Sequence, residues 1–401
     1  MVTAFGSYMK SGQGLFLLIL VALQAAVASA ALSPDAAMLA HWIAERQFQN
    51  PALPGYGAIA NADGPAAIGL DGQPYHNVSP YSANLAVLGL LQSGAPDSLN
   101  VAERWIRWYF AHLNGKSAPD GVPYNHFYRA DGTGETTCVK PGDPSLCHYN
   151  DATDSAAATF FLVLRAAHKA GMPDSMLSTP QRRQQIEKLA SLVLALQQTD
   201  GLCFAKEDYR VKYLEDNSEV FAGLSALAEM EQNVFNDARR STFYQNAADR
   251  VRHGILSELY DPRAALFYVA KFENKARPEP DLNIWYPDTQ AQLWPALFGV
   301  LPPGDPHAEA VAAVVNSHWN GHPRPDWATD PQHVNQGWVE AGHAYAALLM
   351  GETNRVRTYI KAVNRYKFKS QGEKPQFPGP FSVDDAGWLL RITAAPGAAA
   401  H

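Results

Sequence analysis

Two kinds of helical segment alternate along this 401-residue chain, six of each, and that alternation is the strongest constraint on its fold. The first kind is amphipathic. Gln181 to Gln198 places Ile186, Leu189, Val193 and Leu196 on one face, with charged and amide side chains opposite. Leu99 to Leu113, Ser241 to Leu259, His307 to Trp319 and Glu352 to Tyr366 follow the same rule, and Asp35 to Arg46 is a weaker first member. The second kind is apolar nearly all round: Ser82 to Leu91, Ala156 to Ala167, Val220 to Met230, Ala291 to Val300, Val339 to Met350 and Ala386 to Ala394. A helix without a wet face must be covered on every side. Dry helices alternating with half-wet ones describe an inner ring enclosed by an outer ring, and regular recurrence of this kind marks a repeat architecture. The expectation is all-α: an (α/α)6 toroid of six helical hairpins in a single domain over residues 31–393.

Each dry helix is preceded by a polar cluster. The clusters are Tyr75 to Tyr81, Tyr149 to Ser155, Asp216 to Glu219, Trp285 to Gln290, Asn335 to Trp338 and Ser382 to Asp385. Inner helices of a toroid run parallel, so their N-termini open on one end of the ring, where the preceding loops build a cleft. Two of those loops are alike, Asp120-Gly121 and Asp200-Gly201, and each leads into a stretch expected to form short strands over the mouth. Helix capping is the plain account of any one Ser, Thr, Asp or Asn at such a place. It does not explain carboxylates set beside Trp, Tyr and His in most of the clusters.

The second cluster is the densest in chemistry, with His148, Tyr149, Asn150, Asp151 and Asp154 within seven residues. Asp151 and Asp154 are three apart, as are Asp216 and Glu219 in the third cluster, a spacing that puts two side chains on one helix face. Asp288 lies between Trp285 and Gln290 in the fourth. Paired carboxylates among aromatic rings are what glycosidic bond cleavage needs: one, kept protonated, protonates the leaving oxygen, and the other, ionised, activates water or attacks the sugar. Asp154 and Glu219 are the leading catalytic candidates, facing one cleft at roughly 5–10 Å, with Asp151 and Asp288 in support. Candidate sugar contacts are His148, Tyr149, Tyr213, Asp216, Asn217, Trp285, Trp338 and Trp388; for each aromatic ring, core packing is the alternative. Lys206 and Lys212, in the alternating stretch Ala205 to Leu214, would suit an acidic glycan if they point inward; an exposed strand face is the alternative.

The formal charge of −7 gives no reason to expect nucleic acid or an anionic membrane as a partner. Residues 1–30 read as a signal peptide: Lys10, the apolar run Leu15 to Leu23, then Ala28-Ser29-Ala30. That run is shorter than the ~20 residues of a membrane span, so the mature chain is expected to be secreted or periplasmic, without stable membrane insertion. In that setting Cys138 and Cys147, nine residues apart in a Gly/Pro/Thr-rich loop, are expected to form a disulfide, with Cys203 left as a buried thiol. Residues 394–401 are expected to form a disordered tail. There is no GxSxG, P-loop, GxGxxG or HExxH pattern. His333 and His343 have no familiar metal spacing, so neither a metal nor a cofactor is expected.

Ser79-Pro80-Tyr81-Ser82-Ala83-Asn84, Asn150-Asp151-Ala152-Thr153-Asp154-Ser155, Lys212 to Val220 and Trp285-Tyr286-Pro287-Asp288-Thr289-Gln290 give the chain a resemblance to the six-hairpin glycosidase-like superfamily, over about residues 34 to 393, and in particular to exported bacterial members. The resemblance implies sugar chemistry, mostly hydrolysis and sometimes lyase or epimerase reactions, on a glycan substrate or ligand. Three readings follow: a glycoside hydrolase; a polysaccharide lyase or unsaturated-glycan hydrolase using Tyr149 or His148 on an acidic sugar; and a non-catalytic protein of glycan binding or exopolysaccharide assembly.

Overall fold

The computed structural model describes residues 32–114, 121–319, 326–330, 339, 341–366 and 381–395. The expected signal peptide, Trp338 and most of the expected tail lie outside the described residues. The helices in chain order are α1 (Pro34–Glu45), α2 (Pro80–Ser93), α3 (Ser98–Ala111), α4 (Thr153–Lys169), a single turn α5 (Asp174–Leu177), α6 (Pro180–Leu196), α7 (Leu214–Asn233), α8 (Ala238–Gly254), α9 (Trp294–Leu297), α10 (Pro306–Trp319), α11 (Ala341–Leu349), α12 (Thr353–Tyr366) and α13 (Val383–Ala394).

The two helix types take the two expected layers. On α4 nearly every residue from Thr153 to Leu164 is buried, whereas α6 buries Ile186, Leu189, Ala190, Val193 and Leu196 and leaves the rest of its surface wetter. The inner helices contact one another in ring order: α2 on α4, α4 on α7, α7 on α9, α9 on α11, α11 on α13, and α13 back on α2. The ring therefore closes. Outside it, α1 covers α13 and α2, α3 covers α2, α6 covers α4, α8 covers α7 and α12 covers α11. This is an all-α (α/α)6 toroid. Among the described residues no helix is long and apolar enough to cross a membrane.

Small residues set how tightly the inner ring closes. A Cβ on Gly387 would stand 2.6 Å from the carbonyl oxygen of Leu85, and one on Gly223 would stand 2.6 Å from the Cα of Ala158. Backbone meets backbone at the α2–α13 and α4–α7 seams, which only glycine permits. The fourth inner position departs from a plain helix. A 3₁₀ turn, Gln290–Leu293, runs into the short α9, where Pro295 at the first turn fits without a lost hydrogen bond.

The expected strands lie in the loops leading to the inner helices: β1 (Ala67–Ile68), β2 (Pro74–Val78), β3 (His126–Tyr128), β4 (Val211–Tyr213), β5 (Tyr260–Asp261), β6 (Leu266–Phe267) and β7 (Ala270–Phe272). β2 pairs antiparallel with β1 and β3, and β4 with β7. Cys138 and Cys147 form the expected disulfide, and Cys203 is free and buried.

Candidate active site

All six inner helices contribute their first turn, or the residues just before it, to one cavity of about 190 Å³. It is lined by Tyr81 and Leu85 (α2), Asp151 and Ser155 (α4), Glu215, Asp216 and Glu219 (α7), Tyr286, Gln290 and Trp294 (leading into α9), Gly342 (α11), and Asp384, Asp385 and Trp388 (α13). Six carboxylates thus meet at the mouth of the ring axis. Among the described lining residues there is no lysine or arginine.

The first turn of α7 is the centre of this arrangement. Its N-cap is Tyr213, which makes no side-chain cap, so the acids that follow are not spent on closing the helix. Glu219 is 1 % exposed. Its Oε1 accepts two hydrogen bonds, from the Tyr81 hydroxyl at 2.6 Å and from Trp294 Nε1 at 3.2 Å. Burial holds its carboxyl well above the usual range, and the charge of Asp216 pushes the same way; hydrogen bonds from Tyr81, Trp294 and Ser155 oppose this only in part. Asp216, one helical turn earlier, is pushed up to about 7 by burial and by the charge of Asp151, with Lys206 pulling it down. Its Oδ2 is buried without a hydrogen-bond partner.

Across the cavity, α13 brings a second pair. Asp385 Oδ2 accepts from the backbone N–H of Ser382 at 3.3 Å and from its hydroxyl at 3.1 Å, so here the capping account holds. Burial and the charge of Asp384 push Asp385 up to about 7, and burial raises Asp384 as well. Four aromatic side chains complete the wall, and Tyr286 is 58 % exposed, presenting a ring face to solvent.

The expected residues are distributed unevenly. Glu219, Asp151, Asp216 and Trp388 line the cavity, and Tyr149 donates its hydroxyl to Asp151 Oδ1 at 2.7 Å from beside it. Asp154 does not line it. Its carboxyl is wholly buried, with Oδ1 accepting from the Ser155 N–H at 2.8 Å and Oδ2 unpartnered. Burial first, then the charges of Asp216 and Glu219, raise it well above the usual range. Asp288 uses Oδ1 to accept from the Asp281 N–H at 2.9 Å and shapes its own loop. Asn217 braces the fold: it accepts from Cys203 N at 2.7 Å and donates to the carbonyls of Cys203 and Tyr213 at 3.1 and 2.8 Å.

The two lysines are occupied. Lys212 lies 2.6 Å from Asp200 in a buried pair, and Lys206 donates to the carbonyl of Asn150 at 2.5 Å and stands over the Tyr149 ring. Trp285 is core, packed edge-on to Trp319 at 5.7 Å and against His343 at 4.9 Å. Tyr213 shares a hydroxyl contact of 2.8 Å with Tyr209, and His148 faces Thr137 at 2.9 Å on an exposed loop. The cavity in turn includes Tyr81, Trp294, Asp384 and Asp385, which the sequence does not single out as site residues. Asp384 and Asp385 carry a signal, since they head the sixth inner helix as Asp216 heads the third. Trp294 carries none: it sits in an apolar segment indistinguishable from core.

A larger hollow of about 690 Å³ lies beside the C-terminus of α1, near His76, Phe48 and Asp131. Its Asp63 is salt-bridged to Arg46, which stacks on Trp42, so opposite charges there are already matched. It lacks the crowded acids that perturb one another at the axis.

No family model matches the chain, and no curated protein matches it. Solved structures do. The chain is similar to a wild-type glycosidase (TM-score 0.59, 13 % identity, 90 % of this chain and 96 % of that one). It is similar to a variant glycosidase in complex with glucose (0.58, 13 %, 90 % and 96 %) and to an alpha-amylase from Clostridium perfringens (0.55, 11 %, 90 % and 97 %). At such identities the likeness is one of fold: this chain shares the helical toroid of those structures.

Proposed function

We propose that this chain is a glycoside hydrolase, acting in the axial cavity on an uncharged or amine-bearing glycan. The observation that carries the reading is the setting of Glu219. The hydrogen bonds from Tyr81 and Trp294 both fall on Oε1, so Oε2 is the oxygen that would carry the proton to a glycosidic oxygen. Burial and the neighbouring charge of Asp216 favour that protonated form. Asp216, unpartnered at Oδ2 and titrating near neutrality, is the carboxylate that activates water or attacks the sugar. Its ionised form favours the protonated form of Glu219. Tyr286 supplies an exposed ring for stacking, and the other carboxylates supply acceptors for sugar hydroxyls. The solved glycosidase bound to glucose supports a sugar ligand for this fold.

A lyase or an unsaturated-glycan hydrolase on acidic polymers is not favoured by any contact here. Among the described residues its substrate carboxylates would meet six acids lining the cavity, with Lys212 ion-paired to Asp200 and Lys206 bonded to the Asn150 carbonyl. We place the work outside the cytoplasm, since the Cys138–Cys147 disulfide suits an oxidising compartment and the N-terminal stretch reads as an export signal.

The test is release of reducing ends from a panel of neutral, amino-sugar and uronic-acid oligosaccharides, comparing wild type with E219Q. Release from neutral or amino sugars that E219Q abolishes, with binding retained, supports the proposal. Cleavage confined to uronic polymers with ultraviolet-absorbing unsaturated products overturns it, and so does binding of a neutral glycan without any turnover.

A further inference from the structure

We propose that His112, His126 and Glu135 form a zinc-class metal site that fastens the long loop between α3 and α4 to the end of the outer helix. His112 closes the C-terminus of α3, His126 lies on β3, and Glu135 comes from the turn beyond it. Their nearest ligand atoms all lie within 4.8 Å of one another. His112 Nε2 stands 2.9 Å and His126 Nδ1 stands 3.0 Å from Glu135 Oε1. Two ligands of a tetrahedral zinc with bonds of about 2.0 Å are about 3.3 Å apart, so each histidine nitrogen already stands close to that distance from the carboxylate oxygen.

The hydrogen-bonding around them points the same way. His112 Nδ1 is 2.6 Å from the carbonyl oxygen of Trp108. A carbonyl only accepts, so Nδ1 carries the proton. In the neutral ring Nε2 then directs a lone pair at a carboxylate oxygen, two acceptors face to face, which a proton or a metal cation between them resolves. Glu135 Oε1 is also the acceptor of the Tyr128 hydroxyl at 2.9 Å, and that hydroxyl accepts from Trp108 Nε1 at 3.0 Å. Three groups therefore crowd one oxygen. A backbone carbonyl behind one histidine and a hydroxyl behind the carboxylate are the outer contacts that orient metal ligands. Packing fixes the rings as well: His112 stacks on Trp108 at 4.2 Å, and the two imidazoles meet edge to face at 4.8 Å.

Two imidazoles and a carboxylate suit zinc among the divalent metals, with one position left for water on the exposed Glu135 side. The other convergence of this kind among the described residues is Cys138, Cys147 and His148, and its sulfurs are joined to each other. The loop held by the proposed metal ends at Tyr149 and Asp151, so the site would steady one wall of the axial cavity.

The test uses the full mature chain without an affinity tag, stripped with chelator, then titrated with Co²⁺ as an optical probe and with Zn²⁺. One equivalent of Co²⁺ should bind with visible absorption, Zn²⁺ should displace it, and Zn²⁺ should raise the melting midpoint by several degrees. E135Q, which keeps the shape and the acceptor for Tyr128, and H112Q should each lose both effects. No Co²⁺ absorption and no shift with Zn²⁺ in the wild type overturns the proposal, leaving a hydrogen-bonded cluster only. Binding that survives unchanged in both variants overturns it too, since the metal then sits elsewhere. Neither readout involves glycan cleavage, so failure here and failure of the hydrolase reading are separate events.

Discussion

The hydroxyl of Tyr81 donates a 2.6 Å hydrogen bond to Oε1 of Glu219, from a residue 138 positions away in sequence. The contact joins the first turn of α2 to that of α7, two inner helices separated by α4 in the ring. Trp294, from the next inner position, donates to the same oxygen at 3.2 Å. Three inner positions of the ring are thereby joined at one carboxyl group, with Oε1 taken by the Tyr81 and Trp294 donors. Rigid placement of this kind is what proton transfer to a leaving group requires.

Replacing Glu219 with Gln should therefore lower kcat by about 10²–10⁴-fold, with a melting midpoint close to wild type, because the amide oxygen still accepts from Tyr81 and Trp294. Tyr81→Phe should cost less in rate and should move the alkaline limb of the pH–rate profile upward. The Tyr81 hydrogen bond favours the charged form of Glu219, so removing it raises the pKa of that group. An alkaline limb that moves downward, or stays put, would contradict the assignment of Glu219 as the acid.

Asp216 makes a separate prediction about stability. Its folded pKa is about 7, against an ordinary value of 3.8. Between those values the folded state holds a proton that the unfolded chain has released. Stability from this group is thus full below the lower value and is lost as pH rises through the upper one. Asp216→Asn should melt a few degrees above wild type at pH 8 and match it at pH 4, while losing the glycan cleavage that wild type shows at pH 8, where Asp216 is ionised. Calorimetry at the two pH values checks the sign, and a gain confined to pH 4 would refute it.

The ring seam can be tested without touching chemistry. A methyl on Gly89 would run into the backbone of Gly387, standing 2.6 Å from its Cα, and it has nowhere to go because both partners are helical backbone. Gly89→Ala and Gly387→Ala should each destabilise the fold by about 1–3 kcal/mol, despite the better helix propensity of alanine. Gly64, where an added Cβ would meet nothing within 4 Å, is the control, and Gly64→Ala should leave the midpoint unchanged. Equal melting of all three proteins would show that the seam tolerates separation.

The toroid is legible because burial on every side leaves a mark in sequence. Residues 82–91 and 156–167 offer no polar face, and such helices have to be inside. The mouth is legible for a related reason, since acids heading buried helices must share whatever opening those helices have. The finer geometry is not. Asp216 and Glu219 are both within α7, so their three-residue spacing puts them on one face and both reach the cavity. Asp151 and Asp154 have the same spacing, but Asp151 precedes the extended N-cap Ala152, where helical periodicity does not apply. Lys212 departs from its expected place in the cleft because its partner, Asp200, approaches from a loop that no local pattern reveals. The three metal-ligand candidates are invisible in sequence: His112 and Glu135 are 23 residues apart and meet because the Phe127–Thr136 bridge folds Glu135 back on β3, whose Tyr128 is bonded to Trp108 of α3.

Asp154 is where spacing and structure make opposite predictions. From spacing alone it is half of the catalytic pair, and its amide variant should be inactive. In the structure it is fully buried and stands behind the cavity wall. Burial and the charge of Asp216 favour its protonated form, and a protonated carboxyl is close in shape to an amide. Asp154→Asn should therefore retain kcat within about threefold, since no proton transfer at this position is removed, and Ser155 keeps its acceptor. Asp154→Ala should instead lose stability, by about 1–3 kcal/mol, because the Ser155 N–H is left without its partner in a buried place. Measuring both variants beside Asp216→Asn separates the roles: loss of activity in Asp154→Asn at an unchanged melting midpoint would return Asp154 to the catalytic pair and displace Asp216 from it.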